Sequence, residues 1–310
     1  MKFHDAQSTR AALPFPALID ALDAMFVAGC DVPLRHTHKV DVDDAPQGTV
    51  LIMPAWQANG FLGIKTVNIF AGNSARGLPG LFSTYVLYDA QTGQPLAQID
   101  GDEITSRRTA AASALAARHL ARADARHLLV VGAGRVARLL PDAYRAVRPI
   151  DTVTIWSRRH DAAAALAAEW RAAGLDARAT EDLAQAAAQA DIVSCATLSH
   201  RPVVQGAWLR PGTHLDLIGS FTPQMREADD ACFAASRLYV DTPEALQKSG
   251  ELLEPMANGI FTAADVAGTL ESLCRGQAPG RGTATERTVF KSVGTALEDL
   301  AAAMLVYRSL

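Results

Sequence analysis

Residues 127–137 read HLLVVGAGRVA. An apolar run meets a cluster of small residues, and the chain then turns polar and helix-friendly. Gly132-Ala133-Gly134-Arg135-Val136-Ala137 fits G-x-G-x-x-A at a point where a strand hands over to a helix. The first glycine permits a tight turn. The second lets a pyrophosphate approach the backbone, and the small Ala137 lets helix and strand pack closely. The helix N-terminus that follows offers free N–H groups and a partial positive charge. This stretch therefore predicts a dinucleotide site on Gly132, Ala133, Gly134, Arg135 and Val136, inside a parallel sheet.

The sequence beyond it agrees. LLVVGAG leads into RVARLLPDAYRAV, where Pro141 is a candidate kink. TVTIWS precedes DAAAALAAEWRAAG, which Gly174 should stop. Then come ARAT, EDLAQAAAQ, IVSCAT, HLDLIGS and LYVD. Alternating strand and helix is the pattern of a doubly wound, Rossmann-like parallel sheet. It predicts an NAD(P)-binding domain over 122–293. Residues 30–100 differ. VLIMPAW, FLGIKTVNIF, LFSTYVLYDA and PLAQID are short, β-rich and separated by turn residues. With a helix over about 15–28 they form a second, α+β domain over 1–121 with a mainly antiparallel sheet. The segment ITSRRTAAASALAARHLAR reads as a helix with Thr105 or Ser106 as its cap.

The end of the second strand of the alternating region discriminates between dinucleotides. An acidic residue there accepts from the ribose 2′-OH of NAD. Here the strand ends in Ser157-Arg158-Arg159. A hydroxyl and two guanidiniums suit a 2′-phosphate, so NADP(H) is the preferred cofactor and NAD(H) the second choice. Ala196 and Thr197 end the strand DIVSCAT, and strand ends line the cofactor cleft of such sheets.

In the first domain, charges stand where charge is awkward. Lys65 lies among apolar neighbours in FLGIKTVNIF, and Arg35 follows Val32-Pro33-Leu34. Arg107 and Arg108 fall early in a helix, where the dipole disfavours cations. A sheet and a helix could converge Arg35, Lys65 and Arg108 on one small carboxylate.

Composition limits the partners. Net charge is −4, with 20% charged residues and no Lys- or Arg-rich tract. That is no footprint for nucleic acid. No apolar stretch approaches the roughly 18 residues of a membrane span, and MKFHDAQSTR lacks a secretory h-region. Cys30, Cys195, Cys232 and Cys274 are far apart, without a C-x-x-C pair. They read as small apolar residues in a reducing, cytoplasmic setting. His36 and His38 lack a third ligand, so no metal is expected. His214 and Asp216 are a candidate acid-base pair, and Lys291 is a candidate neighbour of the nicotinamide.

The chain resembles the ornithine cyclodeaminase/mu-crystallin family. The matching stretches are Val32-Pro33-Leu34-Arg35, Met53-Pro54-Ala55, Gly63-Ile64-Lys65-Thr66-Val67-Asn68, Gly77-Leu78-Pro79 and Arg108-Thr109-Ala110-Ala111. They continue with the Gly-Ala-Gly turn, Asp191-Ile192-Val193 and Phe290-Lys291-Ser292-Val293-Gly294. The resemblance implies a homodimer built through the first domain, with a C-terminal helix over 294–310 rejoining that domain. It implies that Arg35 and Arg108 grip a substrate carboxylate, that Lys65 stands near the reacting carbon, and that Thr109 joins the cofactor site. Cyclodeaminases carry an aspartate just after the glycine of the segment matching LDLIGSFTPQMRE; here Ser220 and Phe221 follow Gly219. The resemblance is therefore closer to the reductase branch, which acts on cyclic ketimines such as Δ1-pyrroline-2-carboxylate with NAD(P)H. Ornithine cyclodeaminase, alanine dehydrogenase and a non-enzymatic, dinucleotide-dependent binding protein are the alternatives. In the reductase reading an imino acid enters a cleft between the domains, the arginines hold its carboxylate, and Lys65 delivers or organises a proton.

Overall fold

A computed structural model describes residues 1–43 and 45–309. The chain divides into two compact units, Met1–Arg108 with Thr295–Leu310, and Thr109–Gly294. The division falls at 108/109, within the helix Gly101–Leu120, where the sequence reading places it after that helix at 121/122. No single helix among the described residues is long and apolar enough to cross a bilayer.

The first unit opens with β1 (Lys2–His4), α1 (Ala6–Ala12) and α2 (Phe15–Ala28). Phe15, Leu18, Ile19, Leu22, Met25 and Phe26 recur at helical spacing and form the buried stripe of α2. Five strands follow: β2 (His36–Val40), β3 (Gly48–Trp56), β4 (Phe61–Ile69), β5 (Leu81–Asp89) and β6 (Pro95–Asp100). The sheet order is β1-β6-β5-β4-β3-β2; only the β1–β6 pair is parallel. β4 alternates, so Gly63, Lys65 and Val67 share its buried face. The C-terminal helix, Ala296–Arg308, packs on β3, β4, β5 and α2. That contact turns Lys65 toward the helix rather than toward solvent.

α3 (Gly101–Leu120) starts earlier than the sequence predicts. Asp100 Oδ1 accepts from Glu103 N at 2.8 Å and takes the capping role expected of Thr105 or Ser106. Arg107 and Arg108 therefore lie in the second turn, away from the positive helix end. Arg107 is structural: its Nε donates to Leu13 O at 2.9 Å, and its guanidinium lies 4.4 Å from the centre of the Phe15 ring.

The second unit alternates strand and helix. Its elements are β7 (His127–Val131), α4 (Arg135–Arg145), β8 (Thr152–Trp156), α5 (His160–Ala172), β9 (Asp176–Ala179), α6 (Leu183–Gln189), β10 (Ile192–Cys195) and β11 (His214–Leu217). They continue with β12 (Arg237–Val240), α7 (Ala245–Lys248), α8 (Gly250–Ala257), β13 (Gly268–Thr269), α9 (Leu270–Cys274) and β14 (Thr288–Lys291). All eight strands are parallel, in the order β13-β12-β14-β11-β10-β7-β8-β9. α4 runs through Pro141 without breaking, and α5 stops before Gly174, whose φ is +87°. Strand order reverses between β7 and β10, so a crevice opens at their carboxyl ends. Leu129, Val131, Val193, Cys195, Leu215, Leu217 and Val289 form the core that fixes these strands. The protein is thus an α/β chain with a doubly wound parallel sheet and a second, mainly antiparallel sheet.

Candidate active site

The crevice at the end of β7 and β10 is a cleft of about 340 Å³. Gly132, Ala133 and Gly134 line it, with Ser157, Arg158 and Arg159 after β8 and with Ala196 and Thr197 after β10. Gly132 has φ +119°, and a Cβ there would lie 2.6 Å from Ala196 O. Only glycine meets both conditions. Gly134 caps α4, and a Cβ on it would meet nothing within 4 Å. This is the open space at a helix N-terminus that a pyrophosphate needs. Arg135 and Val136 form the first turn of α4, and Ala137 is fully buried against the sheet. Arg158 and Arg159 are exposed at the mouth, where Arg159 N donates to Ser157 Oγ at 3.4 Å. The donor set, the cradle and the guanidiniums fit a dinucleotide. Thr109 is half-buried on α3, outside the residues lining this cleft.

The first unit holds a buried charge cluster. Lys65 Nζ lies 2.5 Å from Asp299 Oδ2 and 3.4 Å from Thr105 Oγ1. Arg108 Nε donates to Asp299 Oδ1 at 2.9 Å, and its Nη1 lies 2.5 Å from Glu298 Oε2. Lys65 is 2% exposed, Arg108 6%, and both carboxylates are fully buried. Two cations thus meet two anions away from water. Burial pushes the Lys65 ammonium below its ordinary range, although Asp299 works the other way. Burial also opposes the Asp299 carboxylate, but the Lys65 and Arg108 charges outweigh it and hold it below the usual range. Burial likewise opposes the Arg108 charge, and Asp299 and Glu298 more than offset it. Arg108 stays cationic, while Lys65 is tuned toward easier proton release.

Arg35 does not join this cluster. It is half-buried just before β2 and makes no hydrogen bond or ion pair among the described residues. Glu298 and Asp299 were not singled out from sequence. Their signal was a carboxylate pair inside the apolar helix ALEDLAAAMLVYR, the same awkwardness that marked Lys65. Tyr85, register partner of Lys65 across β4 and β5, was also missed. Its buried hydroxyl has no hydrogen-bond partner among the described residues and sits against Gly63, where a Cβ would be 1.8 Å away.

The other candidates separate. His36 and His38 are exposed on β2. His214 and Asp216 are buried on β11 but engage different partners. His214 Nδ1 pairs with Thr288 Oγ1 at 2.9 Å, and burial, with the Arg281 and Arg148 charges, pushes its pKa down to about 3. Asp216 accepts from Ser113, Tyr144 and Ser194, and burial pushes it up to about 6. His214 is neutral at ordinary pH and the two form no acid-base pair. Lys291 is buried and donates to Leu217 O at 2.9 Å. Cys195 and Cys232 are buried and Cys30 and Cys274 half-buried. Ser220, which follows Gly219, is buried and its Oγ donates to Met225 O at 2.6 Å. Phe221 is half exposed, and as serine and phenylalanine neither position offers a carboxylate.

A model of the ornithine cyclodeaminase/mu-crystallin family matches residues 7–310. The chain belongs to this family. Among its members, a Δ1-pyrroline-2-carboxylate reductase from Paracoccus denitrificans is 46% identical over 265 residues, covering 85% of this chain and 84% of that protein. The structure of a Δ1-pyrroline-2-carboxylate reductase from Thermococcus litoralis, in complex with NADH and L-proline, superposes with a TM-score of 0.91. It is 31% identical, with 99% of this chain and 97% of that one covered. An archaeal alanine dehydrogenase dimer with bound NAD superposes with a TM-score of 0.90 at 28% identity, covering 99% of this chain and 95% of that one. This family member carries the glycine turn at 132–134 and the buried Lys65–Asp299–Arg108 cluster, and serine and phenylalanine at 220 and 221.

Proposed function

We propose that this chain is an NAD(P)H-dependent reductase of small cyclic ketimine carboxylates of the Δ1-pyrroline-2-carboxylate type, yielding the cyclic amino acid. The observation that carries the reading is the buried cluster in which Lys65 and Arg108 share Asp299. It keeps a permanent cation beside a tunable proton source, which a carboxylate-bearing imine requires. The identity to Δ1-pyrroline-2-carboxylate reductases supports the same reaction class.

Gly132, Ala133, Gly134, Arg135 and Val136 would hold the pyrophosphate of the dinucleotide, with Ala196 and Thr197 along the cleft wall. Ser157, Arg158 and Arg159 would receive a 2′-phosphate, which makes NADPH the preferred form. Thr109 is assigned to the same cofactor on the family resemblance alone. When bound, the reduced nicotinamide supplies a hydride for the imine carbon. Arg108, with Arg35, binds the substrate carboxylate through charge-assisted hydrogen bonds. Lys65 gives its proton to the imine nitrogen, so C=N gains one hydride and one proton and becomes CH–NH. Asp299 remains ionised and reprotonation of Lys65 restores the pair. The chain acts as a homodimer, with a substrate and dimerisation unit of Met1–Arg108 and Thr295–Leu310 and a dinucleotide unit of Thr109–Gly294, in the cytoplasm, on a small imino acid and on neither nucleic acid nor membrane.

The test is dinucleotide oxidation with Δ1-pyrroline-2-carboxylate and with its six-membered homologue, each with NADPH and with NADH. The expected result is turnover with NADPH favoured, and loss of that preference in Arg158→Ala/Arg159→Ala. Ammonia and proline formed from ornithine with catalytic NAD, without imine reduction, would refute the reading.

A further inference from the structure

The dinucleotide cleft owes one wall to a buried carboxylate that does not line it. Thr197 lines the cleft. Its backbone N and its Oγ1 both donate to Glu227 Oε1, at 2.7 and 2.8 Å. Gly219 N donates to Glu227 Oε2 at 2.7 Å. The backbone of Glu227 is used as well. Its carbonyl accepts from Val203 N at 2.7 Å and Val204 N at 2.9 Å, and Val203 also lines the cleft. One residue thus ties both ends of the segment 197–203 to the exit of β11. The fit is close, for a Cβ on Gly219 would lie 1.7 Å from Thr197 O.

The chemistry of the position calls for a carboxylate. Glu227 is fully buried, and every partner of its two oxygens is a donor. Glutamine would turn an NH₂ toward an N–H and leave a buried donor unpaired, a costly arrangement. The segment is held from behind too. Glu251 Oε2 accepts from Glu227 N at 2.7 Å, and its Oε1 accepts from Ala228 N at 2.8 Å. Lys291 is buried, and the nearby Glu227 and Glu251 charges favour its ammonium form against the burial that lowers its pKa. Lys291, read from sequence as a neighbour of the nicotinamide, donates to Leu217 O at the end of β11.

We infer that Glu227 is the positioning residue of the dinucleotide site, acting through Thr197 and Val203 to set cofactor affinity without touching the cofactor. The inference rests on the cofactor reading above. The test is Glu227→Gln, measured first by direct binding: titration with NADH and NADPH, read as quenching of the fluorescence of Trp156, which lines the cleft. The free variant relaxes to pair the exposed donor and binding must restore the position, so the dissociation constants rise, by up to roughly a hundredfold, the ceiling set by one unpaired buried donor. KM for the dinucleotide rises in step, while kcat at saturation and KM for the imine stay within about twofold, a split that a loss of transition-state contacts would not produce. Thr197→Val removes the hydroxyl contact alone, and a rise of about tenfold or less is expected there. It decides the matter if the glutamine variant does not fold. If the unmodified chain binds dinucleotide and the folded variants bind it equally well, this inference is overturned alone. No binding by the unmodified chain would overturn the cofactor reading and this inference with it.

Discussion

Replacing Asp299 by asparagine removes one charge and little volume, so it isolates the electrostatics of the Lys65 site. Lys65 Nζ and Asp299 Oδ2 are 2.5 Å apart, with Lys65 2% exposed and Asp299 fully buried. An opposite charge at such range moves a pKa by about 1–3 units. Lys65 already lies below 10.5 because it is buried. Without the carboxylate it falls by that much again, equivalent to about 1.4–4 kcal/mol. Two measurements read the change. If Lys65 supplies the proton, the alkaline limb of kcat/KM for the imine moves down by about 1–3 pH units, and on that limb the variant is about 10- to 1000-fold slower. Below the shifted limb the gap narrows. Stability gives the second reading. A lysine with a depressed folded pKa contributes stability present above its unfolded value and lost as pH falls through the folded one. Asp299→Asn deepens the depression, so its extra cost is greatest at neutral and acid pH and fades toward pH 10.5. Lys65→Gln is the control: it should be slow at every pH, with no such limb, and still bind dinucleotide. An Asp299→Asn profile lowered evenly, with its limb in the wild-type place, would refute the assignment of Lys65 and Asp299.

Two predictions concern the supporting structure. Gly63→Ala sets a methyl 1.8 Å from the Tyr85 hydroxyl and should cost about 1–3 kcal/mol in denaturant unfolding, whereas Tyr85→Phe should be neutral or stabilising because that hydroxyl has no partner among the described residues; an alanine tolerated without loss would show that β4 and β5 are not packed this closely. Burial and the Glu227 charge push Glu251 from 4.5 up to about 7, so its contribution to stability is present below 4.5 and lost as pH rises through 7, a fall of about 3 kcal/mol. Unfolding free energies at pH 5 and pH 8 check this; Glu251→Gln should flatten the difference, and equal slopes in both proteins would exclude Glu251 as its source.

The parts legible in the sequence were those governed by local rules. Strand–helix alternation and the glycine turn respond to spacing over a few residues, and the residues that line the dinucleotide cleft directly follow β7, β8 and β10. Lys65 could be noticed because a charge in an apolar strand is locally anomalous. The cap of α3 was misplaced because Asp100 terminates a strand and caps a helix at once, and propensity favoured the later Thr105 and Ser106. The carboxylates that complete the buried cluster were out of reach, since Arg108 finds Glu298 and Asp299 at separations of 190 and 191 residues.

What the sequence determined by itself, then, is the periodicity: where strands run, where a phosphate meets a helix end, and which side chains are chemically out of place. Which charge answers which was decided only by the tertiary structure. The C-terminal helix returns to β4 to set Asp299 against Lys65, and β11 pairs along β10 so that the chain beyond it sets Glu227 behind Thr197. Buried charges must be paired, but the pairing energy depends on distance in space, and no local pattern along the chain carries that distance.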